Sequence, residues 1–266
     1  FCGSNNPLVS QLSNLRHISI IMNKVIELLK SHRSIRKFKP DPVAQEIVEE
    51  LILAGQSAAT SSFIQACTVI QVTDADCREQ LCDAAAGQLY VKESPVFLVF
   101  CADMQRHQLA CDMHEAEMLS GFTEQFLTAS VDCALFAQNV LVAAESIGLG
   151  GCYIGAIRNK IGEVDKLLRL PDKVYPVFGM CLGYPAQDPE IKPRLPVEVI
   201  LKQHHYNNDG DRQLITDYDE QVRRYYRTRT GGTKDNSWSE QISDMLVKEA
   251  RPHMLPFLQS KGFLLK

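Results

Sequence analysis

The sequence predicts an α+β fold built as a single domain of residues 22–266. Segments with helical periodicity alternate with short runs of β-branched or continuously apolar residues, a pattern typical of mixed helix and strand. Apolar residues make up 45% of the 266 residues, which is ordinary for a globular chain with a sizeable core. No internal repeat or low-complexity tract interrupts this pattern. We therefore expect one α+β domain, with a C-terminal segment that wraps around it.

The first half of the chain contains alternating helix and strand signals. The predicted helices have apolar residues on one face, and Pro42 stands at an early position of the second helix. The first predicted strand is β-branched, and the second is a continuous apolar run, which is typical of a buried strand. In chain order, the predicted elements are helix 23–30, helix 43–57, strand 68–73, helix 76–86 and strand 94–101.

The second half opens with a long apolar helical stretch, 114–147, which predicts one or two helices. An apolar helix of this kind often packs against a partner subunit as well as against its own core. The elements predicted after it are helix 159–168, strand 174–181, a short strand 197–202, helix 218–227, a polar loop 228–236 and a helix from about residue 237.

Residues 1–21 differ in character from the rest of the chain. They begin with a polar, turn-rich run, and a clean helical pattern starts after Met22. We expect residues 1–21 to be an expression tag or an upstream extension, with Met22 as the natural start. A secretory signal is not predicted, because no charged region followed by a long apolar core is present. No apolar run reaches the roughly 18 residues that indicate a transmembrane helix.

Charge and cysteine content narrow the class of protein. The net charge of −4 does not indicate a nucleic-acid-binding protein. The nine cysteines are irregularly spaced and contain no C-x-x-C pair, so we expect no structural zinc site and no metal. Most lie in apolar context, and we interpret them as reduced core cysteines of a cytoplasmic protein.

Two basic clusters are candidates for binding a phosphate group. Residues 31–36 contain two guanidinium groups, an imidazole and two hydroxyls, and residues 192–194 contain a lysine and an arginine. Arginine forks and hydroxyls suit phosphate oxygens, because they combine charge with several donors in fixed geometry. The alternative interpretation is a solvated basic helix end and a charged surface loop.

Small and polar residues elsewhere allow two interpretations each. Residues 148–151 resemble part of a Gly-rich nucleotide loop, but a helix precedes them, and a Gly-rich strand entry explains them well enough. Gly155 and Ala156 could let backbone N–H groups approach a flat ligand. Residues 60–63 form either a local turn or a pair of hydroxyls for a polar ligand edge. Gln88 is either a surface amide or a ligand contact.

The C-terminal third is locally basic. Most such residues are solvated, although a loop around Arg229 and Lys234 could instead select a phosphate group. The basic residues of this region are Arg223, Arg224, Arg227, Arg229 and Lys234.

Taken in order over residues 22–266, these segments closely resemble the FMN-dependent nitroreductase family, specifically its NADPH-preferring branch. No single segment identifies the family by itself, whereas the whole set of segments in this order does. The residues that carry the resemblance are His32-Arg33-Ser34-Ile35-Arg36, Thr60-Ser61-Ser62-Phe63, 143–151, Tyr153-Ile154-Gly155, 178–183, 192–196, Tyr225-Tyr226, Trp238-Ser239 and 249–252.

The resemblance implies an α/β sandwich with a central, mainly antiparallel sheet, and an intertwined homodimer with FMN at each end of the interface. It implies that NADPH reduces FMN, and that nitroaromatics and quinones are then reduced by two-electron ping-pong transfer. One alternative is an NADPH-dependent flavin reductase that supplies reduced FMN to a partner. A second is a non-catalytic flavin-binding or redox-sensing protein. Neither a nucleic acid nor a membrane is an expected partner.

The resemblance also implies a role for each matching residue. The phosphate of FMN would be held by His32, Arg33, Ser34, Lys192 and Arg194. The ribityl chain or the pyrimidine edge would contact Ser61, Ser62 and Gln88. The ring would be lined by Tyr153, Ile154 and Gly155. The phosphate of NADPH would be bound by Arg229 and Lys234.

Arg36 and Gly155 are the implied catalytic residues. Arg36 would approach the N1–C2=O edge of the flavin, where a fixed cation stabilises the negative charge of the reduced ring. Gly155 would place a backbone N–H near N5. Two positions depart from the family pattern: Ala156 stands where a second glycine is usual, and Lys234 stands where an arginine is common, which keeps the charge but loses the fork.

Overall fold

The computed structural model describes residues 23–266. The chain divides after His32 into two units, Phe1–His32 and Arg33–Lys266. The described part of the first unit contains helix α1 (Lys24–Lys30), and its N-cap Asn23 accepts a hydrogen bond from a backbone N–H. This confirms the first predicted helix. The expectation for residues 1–21 lies outside the described residues.

The second unit carries the sheet and the remaining helices. Short 3₁₀ turns at Ser61–Phe63 and Gly155–Lys160 separate some of these elements. In chain order the elements are α2 (Gln45–Gln56), β1 (Cys67–Gln71), α3 (Ala75–Ala84), α4 (Tyr90–Glu93), β2 (Val96–Asp103), α5 (Gln105–Asp112), α6 (Thr123–Ser146), β3 (Gly150–Ile154), α7 (Ile161–Leu168), β4 (Val174–Gly183), α8 (Val197–Ile200), α9 (Asp211–Thr230), α10 (Trp238–Leu246) and α11 (Met254–Ser260).

The four described strands form one antiparallel sheet in the order β1-β2-β4-β3. Every residue of β2 is buried, as its continuous apolar run predicts, so helices cover both faces of the sheet. Side chains of β2 alternate between the two faces, with Leu98 and Phe100 on one side and Phe97 and Val99 on the other. The predicted α+β fold with an antiparallel sheet is confirmed.

Helix α6 is the central helix on one face of the sheet. Its fully buried residues include Ala137 and Val140, which pack in the same cluster as Phe100 of β2. Among the described residues, α6 is also the helix that is long and apolar enough to cross a membrane, by length and composition only. Its buried face packs against the sheet, as in a core helix.

Close packing explains the Gly-rich run that leads from α6 into β3. Gly148 follows α6 with a φ of 83°, a left-handed conformation that glycine adopts readily. A Cβ on Gly150 would lie 2.6 Å from Cγ1 of Ile35, and one on Gly151 would lie 2.6 Å from the backbone oxygen of Cys181. These contacts support the interpretation that residues 148–151 are a glycine-rich connection from a helix into a strand.

We expect Gly151→Ala to lower the free energy of unfolding by about 1–3 kcal/mol, because the backbone oxygen that its methyl group would meet is fixed in the sheet. Urea denaturation measures the change. Gly162→Ala is the matched control, because a Cβ on Gly162 in α7 meets nothing within 4 Å. The control should leave stability unchanged or raise it by up to about 1 kcal/mol. Wild-type stability in Gly151→Ala would contradict this packing explanation.

The predicted short strand 197–202 is wrong. Residues Val197–Ile200 form the short helix α8, which follows Pro196, and the carbonyl of Pro196 accepts a hydrogen bond from the N–H of Val199 at 3.1 Å. The β-branched composition suggested a strand, but Val197 is 62% exposed and lies outside the sheet. Strand propensity reflects packing on a pleated surface, which this segment does not meet.

Two helix boundaries also differ from prediction. The stretch 114–147 becomes α6 from Thr123 onward, because Glu115 and Gly121 have φ values of 53° and 89° that interrupt a helix. Helix α5 before it was not predicted. Helix α9 begins at Asp211 rather than at Tyr218 and continues to Thr230, so Arg229 lies within a helix and not in the predicted loop.

Candidate functional site

Residues 33–39 run beside the outer strand β3 and the end of its neighbour β4, and backbone hydrogen bonds hold them there. The N–H of Ile35 donates to the carbonyl of Gly151 at 2.9 Å, and the N–H of Lys39 donates to the carbonyl of Tyr184 at 2.8 Å. Ile35 is 5% exposed and anchors the segment in the core. The polar residues on either side of it are therefore held along β3.

Arg33 connects this segment to the second basic cluster. Its Nη1 donates to the carboxylate of Asp188 and to the carbonyl of Pro189 at 3.5 Å. The Asp188 side chain is 85% exposed, so this ion pair lies at the surface. A phosphate could replace the carboxylate as the partner of Arg33 at a small cost in free energy. The contact brings Arg33 to the chain segment that continues to Lys192 and Arg194.

The segment with Lys192 and Arg194 is held along α9 by tyrosines. The Nζ of Lys192 donates to the phenol of Tyr226 at 2.8 Å and lies 5.1 Å from the centroid of that ring. The phenol of Tyr218 donates to the carbonyl of Pro193 at 2.9 Å. Burial raises the pKa of Tyr218, and the nearby Arg194 guanidinium opposes this rise. Both predicted cations are thus held on one ordered segment.

Arg36 lies near Tyr90 and Cys152. Burial raises the pKa of the Tyr90 phenol, and the Arg36 guanidinium beside it acts in the opposite direction. A hydrogen bond with Cys181 lowers the pKa of the Cys152 thiol, and the positive charge of Arg36 contributes to the same shift. Tyr90 begins α4, only two residues after Gln88. The structure therefore brings Arg36 close to the turn that carries Gln88.

The turn of Gln88 is held by Arg78, a residue that the sequence interpretation did not select. The guanidinium of Arg78 donates to the carbonyl of Val91 through Nε at 3.1 Å and Nη2 at 2.8 Å, and to the hydroxyl of Ser94 at 2.9 Å. The N–H of Val91 in turn donates to the carbonyl of Gln88 at 2.9 Å. Burial lowers the pKa of Arg78. These bonds fix the backbone that presents Gln88.

A hollow of about 390 Å³ opens at the end of β3. The ring of Tyr153 meets that of Phe178 edge-on at 5.0 Å, and its phenol donates to Oε1 of Gln138 at 3.3 Å. Burial raises the pKa of Tyr153. Ile154 as a whole is only 1% exposed and is not among the residues that line the hollow. The lining residues are Ala134, Gln138, Tyr153, Gly155, Arg158 and Phe178.

Arg158 is a second residue of this hollow that the sequence interpretation missed. Its Nη1 donates to the carbonyl of Val177, and a Cβ on Gly155 would lie 3.2 Å from its Nη2. Burial lowers the pKa of Arg158, and the charge of Arg251 adds to the shift. A ring nitrogen of His253 contacts the carbonyl of Arg158 at 2.9 Å. The segment before α11 therefore lies at the rim of the hollow.

Ser61 and Ser62 lie in a different place. Their loop is bound to Asp132 of α6, and a separate hollow of about 380 Å³ lies beside it. The described residues that line this second hollow are Ala59, Thr60, Ser61, Leu127, Thr128, Val131, Asp132 and Leu135, and none of them lines the hollow of Tyr153. In one chain, the two predicted parts of the site therefore line two different hollows, which lie beside neighbouring residues of α6.

The C-terminal basic residues are mostly engaged with neighbours. The guanidinium of Arg227 binds the carboxylate of Asp235 with two hydrogen bonds of 2.7 and 2.9 Å. Arg223 donates to the carbonyl of Asp235 at 2.6 Å. These contacts tie the loop of Lys234 to α9. Arg229, in the last turn of α9, donates to the phenol of Tyr225 at 2.9 Å.

Two further predicted phosphate contacts, His32 and Ser34, flank Arg33 in the sequence. Ser34 is half-buried within the second unit. His32 is half-buried and ends the first unit, after α1.

Two family models match the chain. The model described as "Nitroreductase family" matches residues 29–184, and the model described as "Nitroreductase family, C-terminal domain" matches residues 192–266. Together they cover the sheet, the hollow of Tyr153, both basic clusters and α9.

Curated proteins and solved structures are similar over nearly the full length. An oxygen-insensitive NADPH nitroreductase of Salmonella typhimurium is 45% identical over 91% of this chain and 99% of its own length. An NADPH-flavin oxidoreductase of Vibrio harveyi is 44% identical over 91% of this chain and 98% of its own length. The structure of NADPH:FMN oxidoreductase from Vibrio harveyi complexed with NAD⁺ superposes with a TM-score of 0.84, at 41% identity, covering 92% of this chain and 100% of that chain.

Proposed function

Because this chain belongs to the nitroreductase family, we propose that it is an NADPH-dependent FMN oxidoreductase that reduces nitroaromatics and quinones by two-electron transfer. The observation that carries the proposal is the arrangement along β3. The segment with Arg33 and Arg36 is bonded to this strand at its start, and the hollow with Tyr153 and Gly155 opens at its end. A cationic end and an apolar hollow on one strand suit a ligand with a phosphate and a flat ring.

The donor set fits FMN. Arg33 forms an ion pair with a highly exposed carboxylate, and Lys192 donates to a neutral phenol, so both cations can turn to a phosphate. His32, Ser34 and Arg194 would complete that set. The hollow has no side chain at Gly155, where a Cβ would meet Arg158. A flat ring could therefore approach the backbone of Gly155.

The residues of this site have distinct chemical roles in the proposal. When bound, FMN would supply transfer of an electron pair between NADPH and the acceptor. Arg36 places a fixed positive charge at the ring edge, where it stabilises developing negative charge. Tyr153 carries its phenol proton at neutral pH, as an ordinary tyrosine does, and burial raises its pKa further. Gln88 and the two serines, Ser61 and Ser62, would orient the ribityl chain and the pyrimidine edge by hydrogen bonds.

We propose that residues at the C-terminal end of α9 select NADPH over NADH. Arg229 donates a hydrogen bond to the neutral phenol of Tyr225, and its guanidinium carbon lies 5.8 Å from the centroid of that ring. Its fork remains suited to a phosphate group. Lys234, in the loop that follows, would add a second positive charge.

A homodimer would complete the site. Three apolar residues of α6 one turn apart, Leu127, Val131 and Leu135, are 53%, 45% and 43% exposed, and the loop of Ser61 and Ser62 lies beside them. A second copy docked on this face would cover the stripe and could bring the serines of one chain to the hollow of the other. The α9–α10 segment would intertwine the two chains.

We expect Val131→Glu to convert the dimer to a monomer and to remove most of the bound FMN, because a charge would be buried at the interface. Size-exclusion chromatography with light scattering and the flavin absorbance of the purified protein measure both effects. Gln80→Glu on α3 is the control, because Gln80 is also exposed and α3 packs on the opposite face of the sheet from α6. A Val131→Glu protein that remains dimeric and fully loaded would contradict the proposed interface.

We place the protein in the cytoplasm. All eight cysteines in residues 23–266 are free thiols, and five of them are buried. Free thiols persist where glutathione and thioredoxin keep them reduced.

A second candidate function is flavin reduction for a partner enzyme. The relative from Vibrio harveyi is named as an NADPH-flavin oxidoreductase, which favours this possibility. Steady-state turnover with NADPH, measured with nitrofurazone and with free FMN as acceptors, separates the two. We expect higher kcat/KM with nitrofurazone and retention of bound FMN. Higher kcat/KM with free FMN and loss of the bound flavin would favour the second function.

A further inference from the structure

Asp132 is a buried carboxylate in the middle of an apolar helix. It is 4% exposed, and its neighbours on α6, Ala129 and Cys133, are fully buried. A buried carboxylate is costly unless hydrogen bonds satisfy it. The partners of Asp132 therefore indicate what the residue does.

The carboxylate binds both ends of the loop 60–66. One oxygen accepts hydrogen bonds from the hydroxyl of Thr60 and from the N–H of Ala66, the latter at 3.0 Å, and the other accepts from the N–H of Ser61 at 3.2 Å. The hydroxyl of Thr60 also accepts from the N–H of Gln65 at 2.8 Å. One side chain on α6 thus sets the conformation of the whole loop.

The loop between these anchors adopts an unfavourable backbone conformation. Ser62, Phe63 and Gln65 have φ values of 48°, 59° and 53°, in the left-handed region that non-glycine residues rarely occupy. Such residues persist only where the surroundings hold them. Ser61 and Ser62 are exposed, so this conformation presents them outward from α6.

We infer that Asp132 is a positioning residue for flavin binding, which holds the loop 60–66 in the conformation that presents Ser61 and Ser62 to FMN. This inference rests on the proposed function. Asp132 acts through the loop and does not itself contact the cofactor. Its partners Thr60 and Ala66 lie far from it in sequence, so the role arises only from the folded chain.

The test compares FMN affinity in variants of the loop and its anchor. Asp132→Asn should raise the Kd for FMN by about tenfold or more, because the new amide group offers one acceptor oxygen where three donors converge. Thr60→Val should act in the same direction, whereas Thr60→Ser should retain wild-type affinity, because serine keeps the hydroxyl. Fluorescence titration of the apoprotein measures the Kd, and visible circular dichroism reports the environment of the bound flavin.

Ser130→Ala is the control for a merely structural effect. Ser130 lies on the same helix, and its hydroxyl contacts the phenol of Tyr175 in the core rather than the loop. This variant should lower the thermal midpoint and leave the Kd for FMN and the circular dichroism of the flavin unchanged. Asp132→Asn should change both flavin readouts.

The outcomes separate the two proposals. A wild-type protein that does not bind FMN would overturn the proposed function itself. Wild-type affinity in Asp132→Asn, or equal affinities in Thr60→Val and Thr60→Ser, would overturn the role of Asp132 while the proposed function stands. If Asp132→Asn does not fold, the two Thr60 variants decide the question.

Discussion

Replacing Arg36 by alanine is expected to weaken FMN binding and to slow reduction of the bound flavin by NADPH, each by about 10–100-fold. Arg36 is held beside Tyr90 and Cys152, next to β3, which places its charge along the strand that leads to the hollow. Loss of that charge removes electrostatic stabilisation of the reduced ring at its N1 edge. Titration of the apoprotein gives the Kd, and anaerobic stopped-flow absorbance gives the rate of reduction.

Lys37→Ala is the matched control for Arg36→Ala. It removes an adjacent, exposed cation from the same segment, whose carbonyl accepts a hydrogen bond from Ala186 in either case. We expect the Kd for FMN and the rate of flavin reduction to stay within about twofold of wild type, because Lys37 is a surface charge away from the ligand. Equal flavin content and equal reduction rate in Arg36→Ala and wild type would refute the role assigned to Arg36.

Replacing Arg229 by alanine is expected to raise the KM for NADPH by about 10–100-fold and to change the KM for NADH by less than about twofold. Only NADPH carries the 2′-phosphate, which the arginine fork would bind with charge-assisted hydrogen bonds. Initial rates with each nucleotide at saturating acceptor give the two values.

The control for this change is Arg224→Ala. Arg224 lies on the same helix, α9, is exposed and carries the same charge. It should leave the ratio of the two KM values at the wild-type level. A proportional rise of both KM values in Arg229→Ala would contradict recognition of the 2′-phosphate by this residue.

Elements with local signals could be predicted from the sequence. The continuous apolar run of β2 predicts a strand buried on both faces, and the structure confirms it. The segment 197–202 shows the limit of such reasoning, because its β-branched residues carry no information on whether a neighbouring strand exists. Helix α9 was predicted too short: only its first three residues, Asp211–Gln213, are all polar, and the i, i+4 spacing of Leu214, Tyr218 and Val222 already indicates the longer helix.

Site residues with long-range partners could not be predicted. The two basic clusters were recognisable, because arginine, lysine and hydroxyl groups occur together in sequence. Asp132 also left a signal, since it is the sole charged residue of α6 between Glu124 and Glu145. The function of that lone charge depends on Thr60 and Ala66, which reach it only in the fold.

Arg78 and Arg158 left no such signal. Each donates to backbone carbonyls of another segment, at Val91 and Val177 respectively, and a backbone acceptor has no sequence signature. The separation of the serine loop from the hollow of Tyr153 was equally inaccessible, because it depends on where along α6 each hollow lies in the folded chain.

The central claim is that this chain binds FMN and passes electron pairs from NADPH to an acceptor. An anaerobic absorbance spectrum of the purified protein, recorded before and after addition of NADPH and then of nitrofurazone, tests it most directly. We predict the bands of oxidised flavin at the start, bleaching by NADPH and full recovery with nitrofurazone. A colourless protein that cannot be reconstituted with FMN, or a bound flavin that NADPH does not bleach, would contradict the claim.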